Sequence, residues 1–187
     1  DLLRLDRDPQ SHKGDHGEVL VVGGGPYTGA PALAARAAMR AGADLVRVAC
    51  PAGIAREVQA TESGLIVRPF DAERLTPDEV PALRDRAAAH DAVVLGPGLG
   101  DAEDTREAVR AFLGGYEGRA VVDADALREV PTVETEATLV CTPHAGEFRE
   151  MGGGDPGTDR PDRVAAVEAL AADLGATVFL KGRHDVV

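Results

Sequence analysis

Short runs of apolar, mostly β-branched residues recur along the chain. Each is followed by a glycine-rich or polar break and then, in most cases, by a stretch with helical spacing. Residues 19–22 (VLVV) are the clearest such run, and an unbroken run of this kind predicts a strand covered on both faces. Further strands are expected at 45–50, 65–67, 92–95, 120–122, 138–141 and 177–180, with another beginning at 185–187. Helices are expected at 30–40, 52–60, from Thr76 to about residue 90, at 102–113 and at 161–174. Thr76, Pro77 and Glu79 have the order of an N-cap, a first-turn proline and a capping-box acid, and Asp159 is placed to cap the last helix. Strand alternating with helix predicts an α/β fold, a mostly parallel central sheet with helices on both faces.

In such sheets ligands bind outside the carboxyl ends of the strands. Five unusual clusters fall there: the loop at 23–29, GPGLG at 96–100, DAD at 123–125, TPH at 142–144 and KG at 181–182. One such cluster is a turn; five on one edge predict a site.

Composition narrows the class. The chain has 187 residues, and 44% of them are hydrophobic, enough for one domain with a substantial core. Residues 1–10 read as a lead-in and 11–187 as the domain. Aromatics are 3% and tryptophan is absent, so the core must rest on Val, Leu and Ala. A net charge of -12 argues against nucleic-acid and anionic-membrane partners. Only Lys13 and Lys181 are lysines, a balance that fits adaptation to high salt or ordinary acidity in a GC-rich genome. Cys50 and Cys141 each end an apolar run, suit burial, and fit a reducing cytoplasm. No apolar run approaches the roughly 18 residues of a membrane span. The chain opens without an initiator Met, which is compatible with a longer polypeptide.

The clusters carry candidate chemistry. Gly23, Gly24 and Gly25 lead from a strand into a helix, which aims backbone N–H groups at an anion. The loop matches neither phosphate fingerprint: Gly29 comes one residue late for GxGxxG, and no lysine serves a P-loop. A tight turn without ligand is the other reading. GPGLG is either a platform over which a ligand meets the backbone or a tight turn. Asp123 and Asp125 suit Mg2+ through water, a ribose or a hydroxyl; Asp125 equally suits helix capping. His144 suits hydrogen-bond donation or proton transfer, or a purely structural place. Glu147 fits the first turn of a helix. Lys181, placed after a strand and before Gly182, suits nucleotide phosphates or a solvated strand end. His12, Lys13 and His16 form a polar loop that either binds anions or is plain surface.

Taken in order, HKGDHGEVLVVGG, YTGAPALAARAAMRAGADLV, GPGLG, DADAL, TPHAGEF and LKG resemble the carbohydrate-kinase-like domain of ADP/ATP-dependent NAD(P)H-hydrate dehydratases. The resemblance covers about 11–182. It implies a ribokinase-like, three-layer α/β/α fold. It also implies repair of hydrated NADH or NADPH: phosphorylation of the ring hydroxyl from ADP or ATP with Mg2+, then elimination of phosphate. Ala30, Gly98 and His144 would hold the hydrated dinucleotide, with Thr28, Gly29, Gly96, Gly100, Asp123 and Asp125 as secondary candidates. Lys181 and Gly182 would face the nucleotide. Homo-oligomers and an N-terminal epimerase domain are further implications. The family pattern continues past LKG to an NxTGN segment and a GGTGD motif, which carries the catalytic aspartate. Neither occurs in these residues, so a C-terminally incomplete domain is expected. A small-molecule kinase of the same fold, acting on a vitamin precursor or sugar, and a non-catalytic nucleotide-binding module are the alternatives.

Overall fold

The computed structural model describes residues 8–187, so the expected lead-in at 1–10 lies mostly outside the described residues. Seven strands form one sheet: β1 (Glu18–Val22), β2 (Leu45–Ala49), β3 (Ile66–Val67), β4 (Ala92–Leu95), β5 (Arg119–Val122), β6 (Thr138–Cys141) and β7 (Thr177–Val178). Their order is β3-β2-β1-β4-β5-β6-β7, and every neighbouring pair is parallel. The chain winds outward from β1 to β3, returns to place β4 against β1, and winds outward again. The direction therefore reverses between β1 and β4, where Val21 pairs with Val94.

Six helices connect the strands: α1 (Gly29–Ala41), α2 (Ala55–Ala60), α3 (Val80–Ala88), α4 (Glu103–Gly114), α5 (Ala145–Glu150) and α6 (Arg160–Leu174). Right-handed crossovers running in opposite directions put helices on opposite faces. Along β1, Val21 joins Ala32, Ala35 and Val58 in a smaller core under α1 and α2. Leu20 and Val22 join Leu83, Phe112, Leu127 and Leu170 in the larger core on the other face. The alanines of α1 let that helix lie close to the sheet.

Three local outcomes differ from the sequence reading. Thr76 makes no side-chain cap bond; Pro77–Glu79 is a 3-10 turn and α3 starts at Val80. Pro81 has no N–H to give to the carbonyl of Pro77, so the first turn tightens. The regular part of β7 ends at Val178, although pairing with the end of β6 continues through Phe179 and Lys181, and Leu180 pairs antiparallel with Val186 on its other edge. A 3-10 segment, Ala124–Thr132, follows β5 where no helix was expected. Its anchor is Glu129, fully buried, accepting from Arg106 Nε (2.6 Å) and Arg110 Nη1 (2.7 Å) on α4. Asp159 caps α6 as expected, accepting from the Asp162 N–H at 3.0 Å.

Candidate functional site

The carboxyl ends of the strands carry all five clusters, and their loops contact one another. At the reversal between β1 and β4, the Gly23 N–H donates to the Ala49 carbonyl (3.1 Å) and the Gly24 N–H to the Pro97 carbonyl (2.9 Å). A Cβ on Gly23 would run into that Pro97 carbonyl. These two amides are therefore committed to the protein and do not point at an anion. Their glycines instead let two loops close on each other into one floor. The start of α1 is more open. Thr28 makes no side-chain cap bond, no acid lies in the first turn, and Gly29 has no atom within 4 Å of where a side chain would stand.

Gly98 is buried with φ +75, and a Cβ there would lie 2.7 Å from the Tyr27 carbonyl oxygen and 3.1 Å from Ala30 Cβ. Ala30 and Gly98 are thus neighbours across the two loops. Gly96, at φ +125, lies so close to the Asp123 carbonyl that any Cβ would overlap it. Gly100 donates its N–H to Asp125 Oδ2 (2.8 Å). Asp125 therefore ties the GPGLG loop to the end of β5 and does not cap its own segment.

Asp123 continues the rim. Its Oδ1 accepts from Lys181 Nζ and from Thr142 Oγ1, both at 2.8 Å. Partial burial pushes this carboxyl upward, but the bonds from Lys181 and Thr142 outweigh it and hold the group below the usual aspartate range. Lys181 also lies 3.8 Å from Glu147 Oε2. It is consequently an ion-paired lysine and not the free strand-end charge its position suggested. Its N–H donates to the Pro143 carbonyl (2.8 Å), and the backbone forms a parallel bridge with His144.

His144 is the N-cap of α5. Its Nδ1 accepts from the N–H groups of Gly146 (2.9 Å) and Glu147 (3.1 Å), while Glu147 Oε2 accepts the His144 N–H (2.7 Å). An accepting Nδ1 leaves the proton of a neutral ring on Nε2. Nε2 lies 3.5 Å from Glu147 Oε1, and the side chain is 61% exposed. The ring is thus fixed from behind and able to donate outward. Gly182 completes the rim, donating to Asp185 Oδ1 (2.9 Å).

His12, Lys13 and His16 fall at the other end of the sheet. The N–H groups of Gly14 and His16 donate to Asp44 Oδ2, just before β2, and His16 Nε2 bonds Ser11 Oγ. They precede β1 and share nothing with the rim. Burial pushes the Cys50 thiol up to about 11 and that of Cys141 to about 12, so neither is a nucleophile. Thr142 and Glu147 bind the site together without having been singled out as site residues; both lie within the quoted TPHAGEF motif, but only the fold shows their bonds. Among the described residues no three of His, Cys, Asp or Glu are grouped to hold a metal ion. Asp123 is engaged by Lys181 and Asp125 by Gly100, so these residues do not form a Mg2+ site by themselves.

A family model described as carbohydrate kinase, NAD(P)H-hydrate dehydratase, matches residues 19–187. The chain belongs to this dehydratase family. It is 42% identical over 188 residues to the bifunctional NAD(P)H-hydrate repair enzyme Nnr of Pyrobaculum aerophilum, covering 99% of this chain and 38% of that protein. Two solved structures share the fold. A ribokinase-like superfamily protein from Enterococcus faecalis superposes with a TM-score of 0.80 at 21% identity, over 96% of this chain and 62% of the other. An ADP/ATP-dependent NAD(P)H-hydrate dehydratase from Bacillus subtilis, co-crystallised with ATP and Mg2+, gives 0.77 at 25% identity, over 96% and 63%. The chain therefore spans less than two thirds of each of these proteins, and the ribokinase-like α/β fold of the dehydratase family is what it shares with them. No helix of the described residues is long and apolar enough to cross a membrane.

Proposed function

We propose that this chain provides the substrate-gripping rim of an ADP- or ATP-dependent dehydratase that repairs hydrated NADH and NADPH. The observation that carries the reading is the unbroken line of contacts from Ala30 through Gly98, Gly96 and Asp123 to Lys181 and His144. Two ends of one rim suit a two-substrate reaction. Ala30, Gly98 and the outward Nε2–H of His144 would hold the hydrated nicotinamide. Lys181 and Gly182 would meet the nucleotide phosphates, with Asp123 keeping the lysine head in place. Transfer of a phosphoryl group to the ring hydroxyl turns a poor leaving group into a good one, and its loss with a ring proton restores the dihydronicotinamide. Any divalent ion would ride on the nucleotide phosphates, as Mg2+ commonly does, since the residues here make no cage for it.

Calorimetry tests the reading with hydrated NADH and ADP titrated separately. His144→Ala should weaken dinucleotide binding and spare ADP; Lys181→Ala should do the reverse. Equal losses of both ligands in both variants would reject the assignment. Phosphorylation of a pyrimidine or sugar alcohol, with no binding of the hydrate, would favour the small-molecule kinase instead.

A further inference from the structure

Next to the rim, the first turn of α6 faces the turn that follows Lys181. Between them is a cavity of about 520 Å3 lined by Thr158, Arg160, Arg163, His184, Asp185 and Val186. That volume falls within the range of small-molecule sites. Three of its six lining residues carry cationic or protonatable groups, in a chain with 32 acidic and 20 basic residues.

Some arginines of this acidic chain are neutralised by a carboxylate. Arg36, Arg47, Arg74, Arg106, Arg110 and Arg128 each have one within 4 Å. Arg160 and Arg163, like Arg40, Arg56, Arg68 and several other described arginines, have none among the described residues. Arg163 Nη2 is also buried without a hydrogen-bond partner. It lies 2.9 Å from where a Cβ on Gly182 would stand, so the guanidinium packs on the backbone just after Lys181. A buried donor without an acceptor is unfavourable unless something fills it. The nearby carboxylates are turned to backbone amides. Asp185 accepts from Gly182, and Asp159 accepts from Asp162. Asp162 packs against Gly157.

We propose that Arg163, assisted by Arg160, binds the polyphosphate of a nucleoside di- or triphosphate in this cavity. The guanidinium fork matches two phosphate oxygens, which a lysine head cannot do. Gly182 keeps the approach open, because a side chain there would press on Arg163. The inference rests on the reading that the loop after Lys181 meets the nucleotide, and it assigns a second element, α6, to that ligand. Lys181, held by Asp123, then positions one end of the phosphate chain and Arg163 the other.

The test is calorimetry of the full chain with ADP, inorganic pyrophosphate and adenosine, with circular dichroism to confirm that each variant is folded. Arg163→Gln should weaken ADP and pyrophosphate about tenfold or more, and Arg163→Lys should retain part of the affinity. Arg160→Gln should give a smaller loss. Adenosine, without phosphate, should bind all four proteins alike. Raising KCl should weaken ADP binding more steeply in the parent than in Arg163→Gln. ADP bound with unchanged affinity by Arg163→Gln would overturn the inference while leaving the His144 and Lys181 assignments intact. A parent protein that binds pyrophosphate but not ADP would overturn both this assignment and the nucleotide part of the dehydratase reading.

Discussion

The close approach of the two glycine loops gives a sharp prediction at Gly98. The backbone there has φ +75, and an added methyl group would lie 2.7 Å from the Tyr27 carbonyl oxygen and 3.1 Å from Ala30 Cβ. Three effects set the magnitude for Gly98→Ala. A left-handed conformation is unfavourable by about 1–2 kcal/mol for an L side chain. Forcing a methyl group into filled space adds about 1–3 kcal/mol. The stiffer unfolded chain returns about 0.4–1 kcal/mol. The net loss is about 2–3 kcal/mol. With a urea m-value of about 2 kcal/mol/M, the unfolding midpoint should fall by about 1 M. Gly29→Ala is the control. Nothing lies within 4 Å of its Cβ position, its φ is not positive, and it opens α1, where alanine is the better helix former. That midpoint should stay or rise by up to about 0.5 M. The chain has no tryptophan, so unfolding is followed by far-ultraviolet circular dichroism. Because the displaced partner is Ala30, Gly98→Ala should also weaken binding of hydrated NADH more than of ADP. A midpoint shift under about 0.3 M, or equal shifts in both variants, would show that the two loops are not packed as described.

Two further outcomes follow from buried groups away from the rim. Glu129→Gln should lower stability at neutral pH by about 2–3 kcal/mol, the low end for breaking a buried pair, because Arg106 and Arg110 keep about a third of their surface in water and can rehydrate. Burial raises the Glu129 carboxyl, but the two arginine bonds outweigh it and hold it below the usual glutamate range. Its contribution is therefore present above the unfolded value of about 4.3 and lost as pH falls through the folded one. Melting temperatures of parent and variant should converge on acidification, and a gap constant from pH 7 to pH 3 would refute the pairing. Cys50 and Cys141, raised to about 11 and 12, should resist a thiol-labelling reagent at pH 8 in the native state and react on unfolding; rapid native labelling would contradict their burial.

Much of this architecture is readable from pattern alone. The apolar runs at 19–22, 92–95 and 138–141 became strands within a residue of expectation, because each is a short run of mostly apolar, β-branched residues bounded by turn signals. The placement of five clusters on one edge was equally legible, since it follows from strand direction. What stayed hidden is pairwise. No local rule connects Asp123 with Lys181, 58 residues later, or Asp125 with Gly100. The glycines at 23 and 24 looked like an open anion loop, because the carbonyls that occupy their amides come from Ala49 at the end of β2 and Pro97 in the loop after β4, both distant in sequence. His144 as an N-cap lay outside the usual Ser, Thr, Asp and Asn preference, though Glu147 three residues on was the capping-box signal. The segment after Asp123 escaped notice because Ala124 takes a positive φ and Pro131 interrupts any helical spacing.

The reversal between β1 and β4 has a kinetic meaning. Val21 and Val94 must find each other across the whole of β2, β3 and α3, and Asp123 must wait for Lys181. Such distant pairings form slowly, and a partly folded chain holds no fraction of the ligand-holding geometry. If the proposed nucleotide reading holds, occupancy by a nucleotide would gauge complete folding. A core lesion in β1, β2 or β4, away from the rim, should lower apparent nucleotide affinity only by thinning the fully folded population, with the intrinsic affinity of the survivors unchanged.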